Sequence, residues 1–260
     1  MSTHFINNMA VEIEGEGAPL LCIHGLGGSS NTWTPIMASF SRFRTLRPDL
    51  PGSARSPLAD QTLSINFFVD ELAKLLADMN IESVHIAAHS LGTIVAQHFA
   101  VKHADQVRSL ALFGPLLAPP EAGRAGIAAR AESARSGLPA IQEIADAIVQ
   151  GATSRETKEQ QPAVLALVRE SIMRQTPEGY AQSCLALAQA QAAAIEQIKA
   201  PTLLLTGDQD GVAPPAAVAA MESRIAGSRS VVLDGCGHWT SYEKPHECMA
   251  ALNSFYTEIS

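Results

Sequence analysis

The chain has 260 residues, of which 47% are hydrophobic and 17% are charged, a balance typical of a globular protein long enough for one large α/β domain. Its net charge is −8 and its basic residues form no cluster, which argues against nucleic acid as a partner. No stretch is apolar for long enough to span a bilayer, and residues 1–8 lack the features of a secretory signal. We therefore expect a cytoplasmic protein without membrane contact, and the sequence gives no indication of an oligomer.

Short apolar segments bounded by turn residues predict strands at six places along the chain. In chain order they are residues 20–23, 43–47, 84–88, 110–113, 202–206 and 231–233. Helical patterns lie between and after them, at residues 64–79, directly after Ser90, and at 245–256, where a proline suits the first turn. This alternation predicts a mostly parallel central sheet with helices on both faces.

Residues 117–197 differ from the rest of the chain because strand patterns are absent from them. Segments rich in Ala, Glu, Gln and Arg, which favour helix, follow one another and are interrupted by prolines. We interpret this region as an all-helical lid inserted between two strands, with residues 1–116 and 198–260 forming the α/β core. The alternative is a set of helices that only packs against one edge of the sheet.

Ser90 is the candidate nucleophile because it lies where a predicted strand turns into a predicted helix. A serine on such a sharp turn has its hydroxyl raised above the sheet, and small residues two positions before and after it allow the backbone to approach closely. Those positions hold Ala88 and Gly92, and glycine is usual at both. Taken alone, this motif is a weak signal.

Two further strand ends carry the groups that a nucleophilic serine needs. A base must remove the serine proton, and His238 follows the last predicted strand in a glycine-rich loop. An acid must fix the tautomer of that histidine, and both Asp208 and Asp210 follow the strand at 202–206. The order serine, aspartate, histidine therefore predicts a Ser-His-Asp triad. Leu91, directly after the serine at a helix N-terminus, is expected to offer its backbone N–H to an oxyanion.

Together these motifs resemble the α/β-hydrolase superfamily over nearly the whole chain. The matching segments are residues 24–27, 49–56, 89–92, 207–210 and 235–238, with 243–245 after them. The resemblance implies the α/β-hydrolase fold, gives the acid to Asp210 with Asp208 as the alternative, and gives a second oxyanion donor to the N–H of Leu26. The lid region is most similar to that of 3-oxoadipate enol-lactonases and small-ester hydrolases, although those enzymes usually have an aliphatic residue where this chain has His89.

The predicted function is that of a serine hydrolase that cleaves a small carboxylic ester or (enol-)lactone through an acyl-enzyme, without a cofactor or metal. Two alternatives stay open, a carbon–carbon bond hydrolase of aromatic-ring-cleavage products and a ligand sensor with the hydrolase fold. Residues next to the motifs in sequence are further expected to line the substrate pocket, with simple packing roles as the alternative. They are His24, His89, Trp33 and Trp239.

Overall fold

The computed structural model describes residues 2–259, and the eight strands among them form one sheet. The strands are β1 (Ser2–Ile6), β2 (Met9–Glu14), β3 (Ala18–Ile23), β4 (Phe43–Pro48), β5 (Val84–His89), β6 (Val107–Phe113), β7 (Thr202–Gly207) and β8 (Arg229–Leu233). Their order across the sheet is β1-β2-β4-β3-β5-β6-β7-β8, and every pair from β4 to β8 is parallel. All six predicted strands are confirmed, and each is one to three residues longer than the pattern indicates.

The hairpin of β1 and β2 is a feature that no sequence pattern predicted. Ile6 pairs with Met9, so the connection is a two-residue loop, and Asn7 and Asn8 have φ angles of 50° and 60°. Positive φ at both positions is the geometry of a tight hairpin turn, and asparagine tolerates it better than most residues. The hairpin continues the sheet in antiparallel sense through the β2–β4 pair.

Helices occupy most of the remaining chain. They are α1 (Ile65–Asp78), α2 (Leu91–Lys102), α3 (Glu121–Ala134), α4 (Leu138–Ala152), α5 (Arg155–Gln160), α6 (Pro162–Met173), α7 (Pro177–Ala188), α8 (Pro215–Glu222), α9 (Thr240–Glu243) and α10 (Pro245–Glu258). A 3₁₀ segment covers Ser30–Phe40, and two shorter ones cover Ala104–Gln106 and Ile195–Gln197. No helix within residues 2–259 is both long and apolar enough to cross a bilayer.

Side chains of successive strand residues point to opposite faces of the sheet, so each face has its own core. On one face Leu21, Ile86 and Leu110 pack with α1, α2 and α8. On the other face Cys22 and Ala111 pack with the 3₁₀ segment Ser30–Phe40 and with α10. The predicted arrangement, a mostly parallel sheet with helices on both faces, is confirmed.

Helices α3 to α7 form a continuous helical insertion between β6 and β7, within the residues 117–197 that the sequence singled out. The insertion has an apolar core of its own, to which Ile141, Val168 and Ile172 contribute. Trp239 and Tyr242, from the segment after β8, complete this core. The insertion therefore packs directly on the loop that carries His238.

Candidate active site

Ser90 lies at the sharp turn between β5 and α2, with φ 52° and ψ −121°. Such angles are strained for a residue with a side chain and typically cost about 1–3 kcal/mol. The turn is held because the Ser90 N–H donates to the Phe113 carbonyl at 3.0 Å. A Cβ atom at Gly25 would lie 2.8 Å from Ser90 Cβ, and one at Gly92 would lie 2.5 Å from the Ile23 carbonyl oxygen. Both glycines are thus required by close approach of the chain.

The three candidate residues are joined by hydrogen bonds. Ser90 Oγ lies 2.8 Å from His238 Nε2, and His238 Nδ1 lies 2.8 Å from Asp210 Oδ2. Because a carboxylate only accepts, Nδ1 carries the proton and Nε2 is free to accept from the serine hydroxyl. Asp210 and His238 are buried, whereas Ser90 is partly accessible. The structure therefore brings together all three residues that the sequence singled out.

Asp210, rather than Asp208, is the acid beside His238. Its Oδ1 accepts from the N–H groups of Val212 and Ala213, each at 2.8 Å. Burial acts to raise the Asp210 pKa, but the charge and hydrogen bond of His238, with these two amide donors, hold that pKa below its ordinary value. Asp208 is exposed and accepts from the Cys236 N–H at 3.0 Å, so it fastens a loop.

Gly114, to which no sequence motif points, lies in close contact with His238 and Asp210. Its φ is +54°, and a Cβ atom there would lie 2.8 Å from both Cε1 and Nδ1 of His238. The same atom would lie 3.3 Å from Asp210 Oδ2. Position 114, directly after β6, therefore requires glycine, because its φ is positive and there is no room for a Cβ atom.

Glu243 is a second residue that the motifs did not identify as part of the site. Its buried carboxylate accepts from the N–H groups of Gly237 at 3.0 Å and Trp239 at 3.1 Å, on both sides of His238. It also accepts from the Ser154 N–H and the Thr157 hydroxyl of the insertion, both at 2.8 Å. Several donors converge on one buried charge, as such a charge requires. Glu243 thus fixes the histidine loop to the insertion.

The backbone N–H groups of Leu26 and Leu91 donate to no acceptor within residues 2–259. Leu91 directly follows Ser90, and Leu26 follows Gly25, whose backbone closely approaches Ser90; Leu26 also lines the cavity above the serine. Leu91 is the first residue of α2, where the helix leaves N–H groups unpaired. Two unpaired amide donors beside a serine can stabilise negative charge that develops on a bound carbonyl oxygen.

A cavity of about 520 Å³ lies over Ser90, between the sheet and the insertion. Ser90, His89, His238 and Trp239 contribute to it from the core side. Its walls are mainly apolar and come mostly from α3 and α4, with Leu26, Ile127, Ile144, Ile148, Leu187 and Val212 among them. The site therefore suits a small, largely apolar molecule whose reactive group reaches the serine.

Of the four residues expected to line the pocket, His89 and Trp239 do so, and their rings lie 5.3 Å apart. His89 is buried and donates from Nε2 to the His238 carbonyl oxygen at 2.9 Å. Burial and the neighbouring His238 charge lower the His89 pKa from 6.5 to about 3. His89 is therefore neutral at neutral pH.

The expectation for His24 and Trp33 is corrected by the structure, because neither side chain lines the cavity. His24 is buried, with Nδ1 donating to the Gly25 carbonyl at 2.8 Å and Nε2 accepting from the Leu50 N–H at 2.9 Å. It thus holds the loop that follows β3. Trp33 packs edge-on against Phe113 in the core beneath the sheet's other face. Neighbours of a motif in sequence need not face the same space.

A metal would need several nitrogen, sulfur or oxygen ligands in one place. Across residues 2–259 no group of three or more His, Cys, Asp or Glu side chains is placed to hold a metal ion.

Comparison with known proteins agrees with this architecture. The family model for the alpha/beta hydrolase fold matches residues 18–245. A serine beside an imidazole and a carboxylate, at the strand ends of such a sheet, is the arrangement found in hydrolases of this fold. The chain belongs to the α/β-hydrolase fold family, and it is a hydrolase.

Among its relatives in sequence is a pimeloyl-[acyl-carrier protein] methyl ester esterase from Nitrosomonas europaea, 28% identical over 94% of this chain and 98% of that protein. An (E)-2-((N-methylformamido)methylene)succinate hydrolase from Acinetobacter baylyi is 24% identical over 93% of this chain and 91% of that protein.

Two similar solved structures are also hydrolases. A thermophilic esterase from Thermogutta terrifontis has a TM-score of 0.90 and 25% identity, covering 96% of this chain and 94% of the esterase. The enol-lactonase from Burkholderia xenovorans LB400 has a TM-score of 0.89 and 25% identity, covering 98% of this chain and 100% of the enol-lactonase.

Proposed function

We propose that this protein is a serine hydrolase that cleaves a small carboxylic ester or lactone. The observation that carries the proposal is the continuous hydrogen-bonded line from Asp210 through His238 to Ser90, which ends at the floor of an apolar cavity. The relatives named esterase and enol-lactonase act through the same class of reaction, which supports this choice of substrate. The groups named below supply the chemistry of acyl transfer without a metal or cofactor.

The mechanism follows from the positions of the hydrogen-bonding groups. His238 Nε2 takes the Ser90 proton while Ser90 Oγ attacks the carbonyl carbon, and Asp210 stabilises the imidazolium that forms. The N–H groups of Leu26 and Leu91 receive the negative charge on the carbonyl oxygen. His238 then gives its proton to the leaving alcohol or enolate, and afterwards activates a water molecule that hydrolyses the acyl-enzyme.

The helical insertion acts in this proposal as a lid. Its helices α3 and α4 provide most of the apolar wall above Ser90, so they exclude water from a bound acyl group. Because Ala152 accepts the His238 N–H at 2.9 Å, the lid and the proposed base are also in direct contact. Exclusion of water by apolar walls strengthens each electrostatic interaction at the site.

The test is Ser90→Ala, assayed on short-chain p-nitrophenyl esters and on unsubstituted lactones. We expect kcat to fall by about four to six orders of magnitude, by analogy with the loss seen when a triad nucleophile is removed. A fluorophosphonate probe should label the wild-type protein at one serine and fail to label the variant. Ser254→Ala, which changes an exposed serine on α10, is the matched control and should keep full activity.

Two outcomes would contradict the proposal. Full ester hydrolysis by a folded Ser90→Ala protein would exclude Ser90 as the nucleophile. Labelling at Ser90 without steady turnover of any ester or lactone would instead indicate a ligand sensor, because an enzyme must turn over many equivalents of substrate.

A further inference from the structure

Arg130 is an unusual residue in the wall of the cavity. Apart from His89 and His238, it is the one ionisable side chain among the cavity-lining residues of the part of the chain that the structure describes. It lies on α3, inside the insertion, and is half-buried. An arginine stays charged at any physiological pH, so it places a permanent positive charge beside an otherwise mainly apolar surface.

The ion pairs of the insertion make this arginine stand out further. Of the six arginines of the insertion, four pair with carboxylates, namely Arg124 with Glu121, Arg135 with Glu132 and Glu178, Arg155 with Glu159, and Arg169 with Asp146. Arg174 also has no ion pair within residues 2–259, but it is exposed and does not line the cavity, so Arg130 is the unpaired arginine beside the site. Arg130 has no carboxylate within ion-pair distance anywhere in residues 2–259. The whole chain has an excess of acidic residues, so the unpaired cation is not explained by a shortage of carboxylates.

The neighbours of Arg130 on α7 do not balance its charge. The Tyr180 hydroxyl and the Cys184 thiol lie within its electrostatic reach, and burial raises the pKa of both groups while the arginine charge opposes that rise. Both groups are therefore neutral at neutral pH. A guanidinium with neutral neighbours at the edge of an apolar space keeps its capacity to bind an anion, and its planar fork matches a carboxylate.

We propose that the substrate of this hydrolase carries a free carboxylate, which Arg130 binds while the ester or lactone carbonyl reaches Ser90. This inference rests on the proposed function for the reaction at Ser90 and names the substrate class within it. The substrates are half-esters of dicarboxylic acids, or lactones that bear a carboxylate. The apolar walls contact the hydrocarbon between the two groups, so Arg130 decides between charged and neutral esters of equal size.

The experiment compares charged esters with neutral esters of the same shape. The charged set is monoethyl succinate, glutarate, adipate and pimelate, and in the neutral set an isopropyl group replaces the free carboxylate of each. Release of ethanol gives kcat/KM for the wild type, Arg130→Gln, Arg130→Lys and the control Arg135→Gln. Arg135 caps the C-terminus of the same helix but lies outside the cavity, so the control removes the same charge from the same part of the insertion.

We expect the wild type to prefer at least one charged ester over its neutral counterpart. Arg130→Gln should lower kcat/KM for that ester by about 10- to 100-fold, the range for loss of one charge-assisted hydrogen-bonded contact, and should change the neutral ester by less than about threefold. Arg130→Lys should recover part of the loss, because it restores the charge without the fork. Arg135→Gln should leave both esters unchanged.

Equal loss on charged and neutral esters, or no preference in the wild type, would overturn the inference while leaving the hydrolase proposal intact. Binding of the same esters to Ser90→Ala, measured by calorimetry, separates the two proposals. If no ester is hydrolysed, Arg130-dependent binding of the charged set means that the reaction was assigned wrongly but the anion site correctly. Absence of such binding means that the anion site was also assigned wrongly.

Discussion

Two residues beside the His238 ring have positive φ angles, Ser90 at 52° and Gly114 at 54°. They follow neighbouring strands whose last residues, His89 and Phe113, are partners in the sheet. The chain therefore leaves both strands at the same level and turns sharply in each case. These paired turns leave the space in which the imidazole ring lies.

Gly114→Ala tests whether the turn after β6 must leave this space for the His238 ring. The added methyl group would meet the His238 ring at 2.8 Å, so the ring must move. A displacement of about 1 Å in a catalytic group can lower the rate by about 10²-fold, and we expect at least that loss in kcat/KM for any good ester. Because alanine is disfavoured at a positive φ, the substitution should also lower the free energy of unfolding by about 1 kcal/mol or more, measured by urea denaturation.

Gly211→Ala is the control for this prediction, because Gly211 follows Asp210 directly and a Cβ atom there would meet nothing within 4 Å. It should keep both activity and stability. Equal losses in the two variants would mean that any added methyl group disturbs the acid loop, and that Gly114 has no special contact with the histidine.

The strand pattern was enough to single out Ser90 and His238, whereas it left Asp208 and Asp210 both open, and only the resemblance to the family favoured Asp210. Gly114 follows a strand too, but a single glycine after a strand is common and only the position of the His238 ring makes it necessary. Glu243 lay within a matching segment, yet its role depends on donors from the insertion, far away in sequence. Contacts of that kind have no local pattern.

Helices α3 and α4 each place a glycine in the wall of the cavity. Gly126 lies in the interior of α3 and Gly151 near the end of α4, and both line the cavity. A Cβ atom at either position would meet nothing within 4 Å. Glycine in a helix is about 1 kcal/mol less favourable than alanine, and packing does not require it here. The glycines keep space free at the cavity wall.

Gly126→Ala should therefore stabilise the protein while reducing the room for substrate. We expect the free energy of unfolding to rise by about 0.5–1 kcal/mol, since the helix gains a better helix former. The kcat/KM for a bulky branched ester should fall by about 10-fold or more relative to a small ester such as ethyl acetate, as expected for one methyl group at a substrate contact. The small ester is the control within the same variant. Equal kcat/KM changes for the two esters would place position 126 outside the substrate's reach.

Buried histidines make the stability of the entire fold sensitive to acid. Burial lowers the pKa of His24 and His89, and burial with the nearby charges of Arg108 and Arg42 lowers that of His85 to about 4. The unfolded chain takes up these protons near the ordinary pKa of 6.5, whereas the folded chain takes them up only at lower pH. The contribution of these histidines to the free energy of unfolding is thus fully present above about pH 6.5. It is lost as the pH falls towards their lowered pKa values in the folded protein.

The His89→Gln variant measures one such contribution, because glutamine can still donate to the His238 carbonyl but does not titrate. Between pH 6.5 and about 3, the unfolding free energy of the variant should fall less steeply with decreasing pH than that of the wild type, by up to about 1.4 kcal/mol per pH unit. The exposed His246→Gln should follow the wild-type curve. Parallel curves for wild type and His89→Gln would show that His89 does not resist protonation in the fold.

Much of the overall fold could be predicted, because buried parallel strands are continuous apolar segments and the helices between them have a clear apolar face. The β1–β2 hairpin was missed because β1 is mostly exposed and its turn is Asn7-Asn8 instead of a pair with glycine. The 3₁₀ segment Ser30–Phe40, which contains Pro35, has no regular helical period to detect. Elements that depend on contacts with neighbouring elements carry only a weak pattern in their own sequence.

Glu243 has a consequence for how such proteins diversify. The insertion is encoded between β6 and β7, yet its Ser154 N–H and Thr157 hydroxyl bind a carboxylate encoded after β8. An insertion transplanted from a relative would have to bring equivalent donors to this carboxylate, or else leave a buried negative charge short of partners beside the proposed base. Exchange of the insertion and change at position 243 are therefore linked, and the region above the serine is not an independently replaceable module.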